Sequence, residues 1–452
     1  MRSYSDDTYL WYSEIFDRDP GPYEVIEYFE LLKTTALTPS GAPKDQFHFS
    51  MSTEEWDQLS QSGASYGYGM NITIAQGQGI TRTVTITFSE PDSPAADADI
   101  ARGARLISID GVNIANANDQ GSIDILNAGL FPSKAGKQTE FVVRDLGAVA
   151  DRTVTLTATT VVATPVQNTQ VLDTDSGRVG YLQFNSFNSP AERGLFDAFT
   201  ELSDAQVDDL VIDLRYNGGG LVWLSSQLAY MIAGPEATED KTYERMSFND
   251  KYPTTNPLTG KMLSPTPFWP TTIGFAPEML VKGLDLPTLS LERVFILTTA
   301  GTCSASEALI NGLRGIDVEV ILIGGTTCGK PYGYNPTPNC DTTYFTIQFE
   351  GMNHKGFGAY SDGFAPSPNP MLPTDVQGCR AGDDLGHALG DVNEGMFSAA
   401  LAYRQTGTCP LAVSGKVASP AAAAVPFVDE GFMLEDTRPQ SQARGNRILT
   451  RP

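Results

Sequence analysis

The strongest constraint on the fold comes from residues 294–330, where two apolar segments flank one amphipathic segment. Residues 294–297 form an apolar run typical of a buried strand, and from Ala305 apolar side chains recur with helical spacing. The helix is expected to end near Gly315, and residues 318–323 form a second apolar run. A strand, a helix and another strand in this order predict an α/β fold.

This unit places Ser304 at the start of the predicted helix and Lys330 just beyond the second strand, where open α/β sheets carry their chemistry. A helix N-terminus stabilises an oxyanion that develops beside a nucleophilic serine. The serine needs a base, and a lysine serves if desolvation lowers its pKa from about 10.4 toward neutrality, at about 4 kcal/mol. The apolar residues 320–323 would supply the dry surroundings.

Residues 324–330 also fit the pattern G-x-x-x-x-G-K of a phosphate-binding loop, but the pattern is incomplete. Pro331 follows where such a loop carries Ser or Thr, so no hydroxyl group is present for magnesium. Residues 332–338 contain two prolines and do not predict the helix whose N-terminus would hold phosphate. The sequence therefore argues against nucleotide binding.

Three motifs occur in order: D-L-R-Y-N-G-G-G at 213–220, S-A-S-E at 304–307 and C-G-K at 328–330. Together they resemble the C-terminal processing peptidases, also called tail-specific proteases. Their signature places a serine nucleophile in S-A-S-E and a general-base lysine in F-G-K, after an upstream D-L-R-x-N-x-G-G. The resemblance implies the same roles for Ser304 and Lys330. Family members often carry a glutamine four residues after the lysine, where this chain has Tyr334, so the third catalytic residue stays open.

The glycine run after the predicted strand at 209–215 is a candidate oxyanion hole. Glycines let the backbone turn its N–H groups toward a reacting carbonyl without obstruction by a Cβ atom. The alternative is a plain turn between a strand and a helix. The candidate oxyanion-hole residues are Gly219, Gly220 and Ala305.

Residues 63–164 differ in character, because residues 83–88 and 153–157 alternate as half-buried strands do. The sequence G-A-R-L-I-S-I-D-G at 103–111 is similar to a PDZ motif, G-D-x-L-x-x-I-D-G. A PDZ groove binds an extended peptide as an added strand and holds its terminal carboxylate with backbone N–H groups. The alternative is a small β-domain that only covers the active site. The implied peptide-binding residues are Tyr68, Gly69 and Met70.

The resemblance implies an α/β fold with a crotonase/ClpP-like catalytic domain of mixed sheet and helices. A PDZ-like β-rich domain and a small helical N-terminal segment are expected to precede it. The N-terminal segment either packs on the body or forms a lid. The expected boundaries are 1–62 for the N-terminal segment, 63–164 for the PDZ-like domain, 165–410 for the catalytic domain and 411–452 for a C-terminal tail.

The balance of 54 acidic and 30 basic residues gives a net charge of -24, which would repel nucleic acid and anionic membrane surfaces. No apolar run approaches the roughly 18 residues of a membrane span. Residues 1–6 are not followed by the apolar segment of a signal peptide. We expect an exported protein, periplasmic, in the cell envelope or secreted, whose export segment has been removed, with a cytoplasmic location as the alternative.

Five cysteines and three histidines include no C-x-x-C pair and no H-E-x-x-H motif, so we predict neither a metal site nor a cofactor. Cys328 and Cys340 flank a loop rich in proline and glycine, and Cys379 and Cys409 flank another segment. Two disulfides that leave Cys303 free are therefore one hypothesis, and five separate thiols are the other.

The predicted function is a serine endopeptidase that cleaves polypeptides with a Ser304/Lys330 dyad and recognises substrate C-termini through the PDZ-like domain. Three alternatives stay open. The first is an exported peptide-binding or scaffold protein that keeps the fold without turnover, which Pro331 and Tyr334 motivate. The second is a hydrolase of non-peptide esters. The third is a Ser/His/Asp arrangement with His387 as the base.

Overall fold

The computed structural model describes residues 1–77, 80–410 and 447–448. It begins with a small segment that contains short helices and one strand. Strand β1 pairs with a strand much later in the chain, which ties the segment to the body of the protein. The elements are α1 (Arg2–Thr8), α2 (Val25–Glu30), β1 (Phe49–Ser52) and α3 (Thr53–Asp57), with a 3-10 turn at Tyr12–Glu14 and a π turn at Gln58–Ser62.

A β-rich domain follows, with its own apolar core. Along β4 the inward side chains of Val84 and Ile86 are fully buried, as the alternating pattern predicted. Helix α5 covers the sheet with Ile123 and Leu126. The elements are β2 (Ala64–Gly67), β3 (Met70–Gly77), β4 (Ile80–Ser89), α4 (Pro94–Asp97), β5 (Arg105–Ile109), β6 (Val112–Asn113), α5 (Gln120–Leu130), β7 (Gln138–Arg144), β8 (Arg152–Thr157) and β9 (Thr159–Val162).

The larger domain contains the remaining strands and helices. Its first half contains β10 (Val166–Thr174), β11 (Gly177–Phe184), α6 (Ala191–Asp204), β12 (Asp209–Asp213), β13 (Gly220–Leu221), α7 (Val222–Thr238), β14 (Thr242–Ser247) and β15 (Thr266–Pro267). Its second half contains β16 (Arg293–Thr298), α8 (Ala305–Gly315), β17 (Glu319–Gly324), β18 (Tyr332–Gly333), β19 (Thr337–Asn339), β20 (Thr342–Phe345), β21 (Phe349–Met352), β22 (Ala365–Ser367), β23 (Asp375–Arg380) and α9 (Gly395–Thr406). A short strand, β24 (Arg447–Ile448), comes last.

A seven-stranded sheet in the order β10-β11-β12-β16-β17-β23-β22 forms the centre of this domain. Its pairs are parallel except β10 with β11. Successive residues of a strand point to opposite faces, so Leu210 and Ile212 pack toward α6, α7 and α8, whereas Val211 packs toward α9. Because β12, β16 and β17 are parallel neighbours, the loops that leave their carboxyl ends meet at one edge.

The mixed α/β architecture with a preceding β-rich domain is therefore confirmed, and α8 spans the residues expected for the helix after Ser304. No helix among the described residues combines the length and the apolar character that a membrane crossing requires. Most of the predicted tail, residues 411–446 and 449–452, lies outside the described residues.

Candidate active site

Ser304 lies in the turn between β16 and α8, at the N-cap position of the helix. Its backbone adopts φ 60° and ψ -110°, a sparsely populated region for a residue with a Cβ atom, and such strain is concentrated at functional sites. The residue is 0% exposed, and its hydroxyl oxygen has no hydrogen-bond partner within the described part of the chain. The turn thus holds a buried serine hydroxyl group that makes no hydrogen bond to the described residues.

Lys330 lies in the loop that follows β17, the strand next to β16. Only 1% of the residue is exposed, and this burial lowers the pKa of Lys330 to about 7, although Asp45 and Glu307 both favour the protonated amine. The difference from the usual value of 10.5 corresponds to roughly 5 kcal/mol in favour of the neutral amine. The amine is therefore desolvated, as a base of this kind requires, and the lysine is suited to act as a base near neutral pH.

Glu307 joins the turn of Ser304 to the loop of Lys330. Its carboxylate accepts the N–H of Ser304 at 2.9 Å, the N–H groups of Gly329 and Lys330 at 2.8 Å each, and the hydroxyl group of Thr327 at 2.6 Å. Burial raises the pKa of this fully enclosed carboxyl group, although the four donors act in the opposite direction. Sequence reasoning quoted Glu307 within its motif but gave it no role.

A disulfide between Cys303 and Cys328 forms a second, covalent link between the same two loops. The predicted pairing of Cys328 with Cys340 is wrong: Cys340 is free and exposed, and Cys303 is the partner. The physical reason is that β16 and β17 are parallel neighbours, so the loops beyond their carboxyl ends lie side by side. The predicted Cys379–Cys409 disulfide is confirmed.

The glycine run after β12 lies directly against the turn of Ser304. A Cβ atom on Gly219, whose φ is 104°, would come within 2.8 Å of the Cys303 oxygen and the Ser304 Cβ, so only glycine fits without movement. The N–H of Gly219 donates to the side-chain oxygen of Asn217 at 2.9 Å. The N–H of the next strand residue, Leu221, donates to the Phe187 oxygen at 2.8 Å. The structure therefore places Gly219 against the serine turn, whereas Gly220 lies against Phe187.

A buried charge network fixes the strand that carries this glycine run. Arg215, 1% exposed, makes a bidentate contact of 2.7 and 2.9 Å with Glu394, the N-cap residue of α9. It also contacts Asp213 at 2.9 Å and Asp383 at 2.7 Å. From the β-rich domain, Arg102 reaches the same Asp383 carboxylate. The arginine of the motif thus positions the loop and takes no part in the chemistry itself.

Two alternatives from the sequence lose their support. The N–H groups of Gly329 and Lys330, which a phosphate would need, already bind Glu307, and the short strand β18 follows in place of a helix. His387 has a side chain 45% exposed and bonds Asp384 at 2.7 Å, so it makes no hydrogen bond with Ser304. The structure favours neither a nucleotide site nor a histidine base.

The predicted peptide-binding loop lies just before β3, an edge strand of the β-rich sheet. Tyr68 and Met70 are 2% and 6% exposed, so their side chains belong to the core and only the backbone of the loop is available to a ligand. A cleft continues from this domain to the glycine run. Its lining includes Asn71, Phe88, Glu90, Tyr216, Gly219 and Gly220.

The described end of the chain also reaches the glycine run. Strand β24 pairs in parallel with β13, with Gly220 opposite Arg447 and Leu221 opposite Ile448. The other side of Gly220 is bridged to Phe187. Backbone from the C-terminal region therefore occupies the free edge of the strand that follows the candidate oxyanion loop.

Comparisons with known sequences agree with this geometry. Residues 178–356 match the profile of peptidase family S41, and residues 58–128 match the profile of the PDZ domain. The chain is 26% identical over 242 residues to a carboxyl-terminal-processing protease of Picosynechococcus sp., covering 53% of this chain and 49% of the relative. It is 30% identical over 152 residues to the chloroplastic C-terminal processing peptidase of Tetradesmus obliquus, covering 31% of this chain and 32% of that protein. The chain spans half or less of these curated relatives.

Among solved structures, one described as an S41 protease from Bacteroides fragilis covers 90% of this chain and 97% of its own. The TM-score is 0.65 at 22% sequence identity, a likeness that concerns the fold.

Proposed function

Because residues 178–356 match peptidase family S41 and residues 58–128 match the PDZ domain, we propose that the chain is a serine endopeptidase of the C-terminal processing type. The observation that carries the proposal is the pairing of two loops at one sheet edge. One holds a strained, buried serine with an unused hydroxyl group, and the other holds a buried lysine with a pKa of about 7. Glu307 and the Cys303–Cys328 disulfide join the two loops.

In the proposed reaction, the neutral amine of Lys330 takes the proton of the Ser304 hydroxyl group as its oxygen attacks the scissile carbonyl carbon. The protonated amine then returns this proton to the leaving nitrogen of the substrate, and an acyl-enzyme remains until water attacks it. The hydroxyl oxygen of Ser304 has no hydrogen-bond partner among the described residues, so we propose that substrate binding completes its contact with Lys330, as is common for catalytic pairs in free enzymes.

The oxyanion that forms needs hydrogen-bond donors beside Ser304. The N–H of Gly219 is engaged by Asn217 and Gly220 is paired with β24, so we assign this role to the N–H of Ala305 and, once β24 has left, to that of Gly220. Ala305 is the first residue of α8, where the helix dipole adds a partial positive charge. Gly219 then contributes by allowing the close approach to the serine turn.

Substrate recognition is assigned to the PDZ-like domain. The backbone around Tyr68, Gly69 and Met70 would hold a terminal carboxylate, and β3, an edge strand of the described sheet, would pair with the extended peptide. The cleft that joins this domain to the glycine run would lead the peptide to the loop that lies against the turn of Ser304. The partner is therefore a polypeptide with an accessible C-terminus.

The division into domains at 1–62, 63–164, 165–410 and 411–452 is part of this proposal. Export to the periplasm, cell envelope or exterior is also part of the proposal, because the two disulfides suit an oxidising compartment. The 1–62 segment is tied to the body of the protein by the pairing of β1 with β20, which favours packing over a mobile lid.

The experiment incubates the protein with unfolded β-casein and with peptides that carry free or amidated C-termini, and maps the products by mass spectrometry. We expect internal cleavage that requires Ser304 and is faster with free C-termini. Binding of these peptides without any cleavage would support the alternative of a peptide-binding protein without turnover. Equal cleavage by a Ser304→Ala variant would refute the proposed nucleophile.

A further inference from the structure

The amine of Lys330 lies between two aromatic rings. Its Nζ atom is 4.7 Å from the ring centroid of Phe47 and 4.3 Å from that of Tyr334. Phe47 belongs to the N-terminal segment, whereas Tyr334 follows the lysine in its own loop. Both distances lie within the roughly 6 Å at which a cation interacts favourably with the face of a ring.

Phe47 is fixed from both sides. Its N–H donates to the carboxylate of Asp45 at 2.9 Å, and that buried carboxylate also accepts the hydroxyl group of Tyr9 at 2.7 Å. Two residues later, Phe49 enters β1 and stacks on Phe345 with centroids 4.3 Å apart. The ring of Phe47 is therefore held over the lysine by the packing of the N-terminal segment.

Tyr334 is fully buried and packs on Phe345 with centroids 5.2 Å apart. Its hydroxyl group has no hydrogen-bond partner within the described residues. The ring, and not the hydroxyl group, is therefore the part of Tyr334 that faces the amine. In this chain it stands where related proteases often carry a glutamine.

Ring faces attract a cation through their quadrupole but carry no net charge. They therefore favour the protonated amine less than an adjacent carboxylate would, and burial still keeps the resting amine neutral. Among the described residues, Asp45 from the N-terminal segment and Glu307 from α8 act on the amine as charged groups. The rings stabilise the amine most when it has taken a proton, which is the state that forms during the reaction.

Building on the proposed Ser304/Lys330 pair, we propose that Phe47 and Tyr334 form an aromatic cage that positions the Lys330 amine and stabilises its protonated form during proton transfer. Phe47 is thus a positioning residue supplied by the N-terminal segment, and Tyr334 contributes the second ring.

The test measures how fast a fluorophosphonate probe modifies Ser304 between pH 5 and pH 10, for the full chain and its variants. In Phe47→Leu an apolar side chain replaces the ring. We expect the limiting rate constant to fall about tenfold. The acidic limb of the pH–rate profile, along which the rate rises with pH, should move to lower pH by about one unit, because the protonated amine is less stable. Phe47→Trp should retain both the limiting rate constant and the position of the acidic limb of the pH–rate profile. Phe16→Leu, which removes an exposed ring of the same N-terminal segment, is the matched control and should leave the pH–rate profile in place.

If Phe47→Leu has the same limiting rate constant and the same acidic limb as the wild type, the cage is refuted, provided that the wild-type protein is labelled at Ser304. If the wild type is not labelled there, or Lys330→Ala is labelled equally fast, the proposed function itself fails. Tyr334→Leu removes the other ring of the cage and should have the same effect. It decides whether the cage exists if Phe47→Leu does not fold. A loss of rate in both Leu variants without movement of the limb would indicate a purely structural role and would also contradict the cage.

Discussion

Glu307 accepts the backbone N–H of Lys330 at 2.8 Å, so the position of the lysine depends on a side chain one turn into the helix that Ser304 begins. The same carboxylate accepts the N–H of Ser304. The two residues proposed to carry the chemistry are therefore positioned by one common group.

Removal of this group should disturb both loops. Glu307→Ala leaves buried donors on Ser304, Thr327, Gly329 and Lys330 without their acceptor, and each such loss costs about 1–3 kcal/mol. We expect the free energy of unfolding to fall by roughly 3 kcal/mol or more and Ser304 labelling to fall at least about a hundredfold. Urea denaturation and labelling kinetics measure both. Glu201→Ala, at an exposed position of α6, is the control, and equal behaviour of the two variants would refute the role of Glu307.

The pH dependence of the reaction should follow Lys330. Its pKa is lowered to about 7, and only the neutral amine accepts the serine proton, so the rate should rise with pH through about 7 and then become constant. Single-turnover rates of Ser304 modification between pH 5 and pH 10 measure this. A rate that rises only near the usual pKa of a lysine, or that is independent of pH, would contradict the neutral base.

Loss of the Cys303–Cys328 disulfide should slow the labelling of Ser304 more than loss of the Cys379–Cys409 disulfide does. It links the residue before Ser304 to the loop of Lys330, and Cys328 lines an open surface cleft. The double variant Cys303→Ser/Cys328→Ser is expected to lose about 2–4 kcal/mol of stability and to be labelled at least about fivefold more slowly. Treatment of the wild type with dithiothreitol should lower the labelling rate in the same direction.

The control for this prediction is the double variant Cys379→Ser/Cys409→Ser. This removes the other disulfide, which lies on the α9 face of the sheet. Its labelling rate should stay close to that of the wild type. Equal effects of the two double variants would show that the first disulfide has no special relation to the site.

The C-terminal strand should compete with substrate. Because β24 pairs with Gly220 and Leu221, it occupies an edge beside the proposed oxyanion loop. A chain that ends at residue 446 is expected to cleave β-casein a few times faster than the full chain, whereas removal of residues 451–452 alone should change little. A shortened chain that cleaves at the same rate or more slowly would contradict this competition.

Sequence reasoning predicted the elements around Ser304 and Lys330 because the strand, turn, helix and second strand are local and each has its own pattern. It failed for Cys303, whose partner is set by the parallel pairing of β16 with β17 and not by separation along the chain. It also missed Phe47, because nothing near this residue indicates that β1 docks on β20 and brings the ring to the lysine.

The measurement that tests the central claim most directly is the rate at which a fluorophosphonate modifies Ser304, with the adduct located by mass spectrometry, in the wild type, Lys330→Ala and Lys355→Ala. Lys355 is an exposed lysine paired with Asp317 and serves as the control. If Lys330 activates Ser304, the adduct lies on Ser304, Lys330→Ala is at least about a hundredfold slower, and Lys355→Ala equals the wild type. Labelling of Lys330→Ala at the wild-type rate, or an adduct on another residue, would contradict the account.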